Sequence, residues 1–147
     1  MLSKENKIIL IGFGNIYRKD DGLGLALIDR MPSDIQKLEV PEISIDLVET
    51  VKDFDIVVFV DAAVDGENFT FREITLKDST FPLSHHMSCE ELLVWTHALY
   101  KVKPKAYLLS IRGYDFDFGE EISEKAKKNL EEASAYLRTF INEIIQN

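Results

Sequence analysis

Two hydrophobic rhythms divide the chain. Unbroken apolar runs at Lys7–Gly12 (KIILIG), Asp55–Asp61 (DIVVFVD) and Lys105–Gly113 (KAYLLSIRG) predict strands covered on both faces. Elsewhere apolar residues recur three and four apart, which predicts helices. Gly22–Met31 places Leu23, Leu27, Ile28 and Met31 on one stripe and stops before Pro32. Glu124–Ile145 does the same with Ala126, Leu130, Ala133, Leu137, Ile141 and Ile144, and Ser123 can cap it. Ser88-Cys89-Glu90-Glu91 reads as a capping box. The helix it opens runs to about Lys101, with Leu92, Leu93, Thr96, Leu99 and Tyr100 inward, and Pro104 ends it. Two segments give a weaker signal. Glu42–Asp46 predicts a short second strand followed by a polar stretch, Leu47–Asp53, and Thr70–Leu76 alternates like a half-exposed edge strand.

Strands alternating with helices predict an α/β fold of three layers. Its doubly wound, mostly parallel sheet has about five strands, one of them antiparallel at the edge, and helices on both faces. No repeat, linker or low-complexity stretch interrupts the 147 residues, so a single domain over 1–147 is expected.

Composition changes this picture only by exclusion. The hydrophobic share of 46% and charged share of 29% are ordinary globular values, but the net charge is −9. A chain this acidic, without clustered Lys and Arg, is not built for nucleic acid or an anionic membrane. No run approaches the roughly 18 apolar residues of a membrane span, and the first residues do not read as a signal peptide. The single cysteine, Cys89, excludes an internal disulfide and suits a reducing compartment, so a cytoplasmic location is expected.

The candidate chemistry begins in the first strand-to-helix loop. Gly12-Phe13-Gly14 is where many α/β proteins hold a phosphate, but Tyr17 stands where a dinucleotide fingerprint needs its third glycine. The P-loop Gly-Lys-Ser/Thr is missing too. The helix opens instead on Asp20-Asp21-Gly22, and two carboxylates at its positive end repel a phosphate. They either cap the helix or face a cation. Asp61 closes a buried strand, at the sheet edge where ligands of doubly wound folds bind, and it either satisfies turn amides or joins that site. His85 and His86 precede the capped helix as exposed loop residues or as ligands. Asp21, Asp61 and one histidine would together offer two oxygens and a nitrogen to a divalent ion such as zinc or nickel, with positions left open. His97 reads as a packing residue, as do Trp95 and the phenylalanines. Cys89 sits in a first helical turn, where its pKa could fall, yet it has no evident base. No serine-hydrolase or zincin motif is present.

Gly12-Phe13-Gly14-Asn15, Asp20-Asp21-Gly22-Leu23-Gly24, Val60-Asp61-Ala62 and Ser84-His85-x-Met87 together resemble the maturation endopeptidases of nickel–iron hydrogenases. The similarity runs nearly end to end, through Ser110-Ile111-Arg112-Gly113 and Gly119 to Ser123. It implies an endopeptidase that removes a C-terminal extension from a hydrogenase large-subunit precursor after nickel insertion. It also implies that Asp21, Asp61 and a histidine contact that nickel, which arrives with the substrate, so that no tightly bound cofactor is expected. Counting eight residues to a helix leucine, Leu93, favours His85 over His86. Asp21 or Asp61 would position or deprotonate the attacking water. The chain departs from the family near Asp46, where a glycine-rich D-G-G-T-x-G turn is shortened, and Gly66-Glu67-Asn68 lacks the usual Pro-Gly. The alternative is a non-catalytic assembly factor that binds the precursor or its metal; a nucleotide-binding module rests on Gly12 and Gly14 alone.

Overall fold

A computed structural model describes residues 7–76 and 87–146. The chain forms strand β1 (Ile8–Phe13), a 3-10 turn (Lys19–Gly22), helix α1 (Leu23–Asp29), strand β2 (Gln36–Val40) and a second 3-10 turn (Ile45–Leu47). The single-turn helix α2 (Val48–Val51), strands β3 (Ile56–Ala63) and β4 (Phe69–Ile74), helix α3 (Cys89–Tyr100), strand β5 (Lys105–Arg112) and helix α4 (Glu124–Gln146) follow. The five strands make one sheet in the order β2-β1-β3-β5-β4. All pairings are parallel except β4 with β5, which places the antiparallel strand at an edge as expected.

The pleat sends alternate residues to two different cores. Leu10, Val58, Val60, Leu109 and Ile111 pack under α1 and α4, where Leu23, Leu27, Leu130 and Leu137 are fully or almost fully buried. Ile9, Ile11, Val57 and Phe59 pack under Val48, Val51, Leu92 and Leu93 on the other face. The continuous apolar runs of β1 and β3 are thus explained by helices on both sides. Ser88 caps α3 in a reciprocal capping box with Glu91, as the sequence predicts.

Four expectations are corrected. The second strand is Gln36–Val40, not Glu42–Asp46. Lying at the sheet edge, it has little to bury, so its composition is polar and only Leu38 and Val40 mark it. Residues 42–46 instead lead into the 3-10 turn, and the supposedly polar stretch that follows buries Leu47, Val48 and Val51. Trp95 (41% exposed), Leu99 and Tyr100 face outward, because the seat of α3 on the sheet is filled by Cys89, Leu92, Leu93 and Thr96. Not every phenylalanine is core either: Phe59 is fully buried, whereas Phe118 is 77% exposed.

Candidate functional site

The carboxyl ends of β1 and β3 lie side by side, with Gly12 opposite Val60, so the β1–α1 loop and Asp61 share one edge of the sheet. Glycines make this closeness possible. A methyl group at Gly24 would collide with the Val60 carbonyl oxygen and lie 3.0 Å from the Asp61 Cα, so only glycine lets α1 start directly on β3. Gly14 has φ +144°, and a side chain there would strike the Asp21 carbonyl oxygen. The glycines therefore serve close packing around the two acids.

Asp20 and Asp21 diverge. Asp20 is 0% exposed, and its carboxylate accepts hydrogen bonds from the backbone N–H of Tyr114 (2.7 Å), Asp115 (3.0 Å) and Ser123 (2.7 Å) and from the Ser123 hydroxyl (2.7 Å). Burial alone would raise its pKa; these donors outweigh burial and hold it below the usual carboxylate value. The residue ties the β1–α1 loop to the β5–α4 loop. Neither the 3-10 turn nor α1 has a side-chain cap, so the helix-cap reading of the acid pair gives way to this cross-loop clamp. Lys19 strengthens the same junction by pairing with Asp115 at 3.0 Å, and its N–H donates to the Gly119 carbonyl.

Asp21 turns the other way. Its Oδ2 accepts the Asn15 N–H at 2.8 Å, and it lines a cavity of about 280 Å³. Phe13, Gly14, Pro41, Glu42, Ile43, Asp61, Ala62 and Met87 complete the described lining. Three acids and no basic residue thus face the cavity among the described residues. Burial pushes the Asp61 carboxyl up to about 6; the Ser110 hydroxyl bonded to it opposes the shift, and the charge of Asp21 adds to it. Ser110 and Thr70 sit directly across from one another on β5 and β4, and Ser110 pairs with Asp61 on β3, which makes a polar row on the face under α3. Sequence reasoning missed the role of Ser110, although a lone serine in an otherwise apolar strand was its signal.

Cys89 lies beside this row but is buried, and burial, Asp61 and Glu90 drive its thiol well above the ordinary value. The first-turn dipole does not prevail, so the expected lowering is reversed and Cys89 is a packing residue. Arg72 meets Glu90 at 3.0 Å and braces β4 against the start of α3. His85 and His86 lie outside the described residues, which resume at Met87. Among the described residues, no three His, Cys, Asp or Glu side chains are grouped to hold a metal ion. No described helix is long and apolar enough to cross a membrane.

A doubly wound α/β sheet with an acidic cleft at its carboxyl edge defines the class of molecule. No family model and no curated protein matches the sequence. Solved structures do share the fold. The hydrogenase maturating endopeptidase HybD from E. coli superposes with a TM-score of 0.77 at 16% identity over 93% of each chain. The [NiFe] hydrogenase maturation protease HycI from Thermococcus kodakarensis KOD1 gives 0.71 at 23% identity, over 97% of this chain and 94% of its own. HybD from Thermococcus kodakarensis gives 0.71 at 18% identity, over 92% and 99% respectively. The fold of this chain is that of these hydrogenase maturation proteases.

Proposed function

We propose that the protein is a hydrogenase maturation endopeptidase, which removes the C-terminal extension of a nickel–iron hydrogenase large-subunit precursor once nickel has been inserted. The observation that carries the reading is the convergence of Asp21 and Asp61 on one acidic cavity. The fold shared with HybD and HycI and the motif resemblance support it. Nickel enters as part of the substrate. The carboxylates of Asp21 and Asp61 and a nitrogen of His85 would contact it, leaving its remaining positions to the precursor's own ligands. A cation suits a cavity lined by acids, and its charge offsets the repulsion between Asp21 and Asp61.

Anchoring the metal holds the scissile peptide against the same acids. Burial pushes the carboxyl of Asp61 up to about 6 before the metal arrives, and with the substrate in place Asp61 would position the attacking water or accept its proton. Asp21, fixed by the Asn15 amide, orients that water or the metal. Exposed Ile16, Tyr17, Val64 and Phe118 stand on the loops at this end of the sheet, as a surface for a protein substrate would require. The enzyme works in the cytoplasm, in keeping with its single buried cysteine.

The test is incubation with a nickel-loaded large-subunit precursor, read by intact mass. Loss of a C-terminal peptide that requires nickel and disappears in Asp21→Ala or Asp61→Ala supports the reading. An unchanged mass alongside a stable complex overturns it in favour of a non-catalytic assembly factor. The same assay ranks His85→Ala against His86→Ala, with the larger loss expected at His85.

A further inference from the structure

The acidic cavity does not end at Asp21. A second groove of about 550 Å³ shares Gly14, Pro41 and Glu42 with it and runs outward along the end of β2. One wall is Ile16 and Tyr17, which are 47% and 60% exposed; Leu25 and Val40 are also in the lining. Glu39 and Glu42 supply its charge, and no basic side chain lines it among the described residues. We infer that this groove receives an extended peptide segment in which apolar and basic side chains alternate. The inference rests on the protease reading, since it assigns the groove to the part of the protein substrate that adjoins the cut.

The wall loop is held in shape before any ligand arrives. Asn15 Oδ1 accepts the Tyr17 N–H at 2.9 Å, the Asn15 carbonyl accepts the Arg18 N–H at 3.1 Å, and the Tyr17 carbonyl accepts the Gly119 N–H at 2.8 Å. Ile16 and Tyr17 are therefore exposed on a fixed backbone, which reduces the ordering cost of binding. A strand-like peptide presents successive side chains to opposite sides. One set can lie on the exposed Ile16 and Tyr17 while the other reaches Glu39 and Glu42.

Charge argues for basic residues in that second set. The Glu39 carboxyl is raised first by the neighbouring Asp29 carboxyl, then by burial and by the Asp29 charge, and Lys37 only partly opposes the shift. Lys37, the neighbouring cation, donates to the Met31 carbonyl at 2.7 Å. A guanidinium or ammonium from outside would relieve the acid pair, whereas a phosphate or an acidic peptide would worsen it.

The probes are three blocked hexapeptides in which arginine alternates with leucine, glutamate with leucine, and arginine with serine. Each is titrated into isotopically labelled protein without nickel, and amide shifts are followed by NMR. The leucine–arginine peptide should move the amides of Ile16, Tyr17, Val40 and Glu42 and bind about tenfold more tightly than either of the others. The Glu39→Gln/Glu42→Gln double variant should weaken it about fivefold, and Tyr17→Ser about threefold. Equal affinity for the three peptides, shifts mapping elsewhere, or insensitivity to these substitutions would overturn the inference. The outcome separates from that of the protease reading because no cleavage is involved. A bound peptide beside an unprocessed precursor overturns the protease alone, and a processed precursor with a silent groove overturns the groove alone.

Discussion

The two sides of the β1–α1 loop hold neighbouring aspartates in opposite circumstances. Beneath the loop, Asp20 is buried against four donors from the β5–α4 loop, and its charge is fully used by them. Above it, Asp21 and Asp61 face a cavity, with Asp61 buried enough to sit near 6 and bonded to Ser110. A buried charge saturated by backbone amides holds structure together. A buried charge left facing another of the same sign holds free energy that a cation can release. The same residue type therefore serves stability on one side and leaves charge open to a ligand on the other.

Deleting each acid in turn should separate the two sides of the loop. Asp20→Ala orphans three backbone amides and a hydroxyl, so urea unfolding should show a loss of about 3–5 kcal/mol. Because Asp20 has a lowered pKa, its contribution is present above the ordinary carboxylate value and is lost as pH falls through the lower folded value. Asp21→Ala should leave the unfolding midpoint nearly in place yet slow precursor processing by about a hundredfold or more, as measured by intact mass. If Asp21→Ala unfolds the protein as Asp20→Ala does, the division between the two sides fails.

Asp61→Asn tests the opposite sign. The folded value of about 6 lies above the roughly 3.9 of an unfolded Asp, so Asp61 weakens the fold as pH rises through that window. Removing the charge should raise stability by about 3 kcal/mol at pH 8 and change it little below pH 4, in parallel urea titrations. Smaller still should be the effect of Lys19→Ala. Its pair with Asp115 raises the lysine pKa, yet both partners are partly open to solvent, so the loss of stability should be well below that of Asp20→Ala.

Much of the fold was legible because burial on both faces leaves an unbroken apolar signature. β1, β3 and β5 could be located from their runs, and α3 from a capping box that forms as written. The stripe of α4 places Ala126, Leu130, Ala133, Leu137 and Ile141 in the core. β2 escaped because an edge strand needs only one partner and little apolar surface, so Gln36–Val40 looks like a loop. The outward Trp95, Leu99 and Tyr100 escaped for a related reason: a helix against a sheet buries one stripe, and apolar residues beside that stripe look the same in one dimension.

The site divides along the same line. The residues of the first glycine-rich loop already show that acids, not phosphate-binding groups, occupy it. Local chain chemistry decides this. The apolar run sets Asp61 at the end of a buried strand, whereas β3 runs on through Ala62 to Ala63 and Asp61 lies just inside its carboxyl end. Only the tertiary structure decided that Asp20 turns inward to the β5–α4 loop while Asp21 turns to the cavity, and that Ser110 stands opposite Asp61. The donors to Asp20 lie 94 to 103 residues away along the chain, and Ser110 meets Asp61 only through the pairing of β3 with β5. Their orientation is set by contacts between distant segments, and no local preference of two adjacent aspartates can specify it.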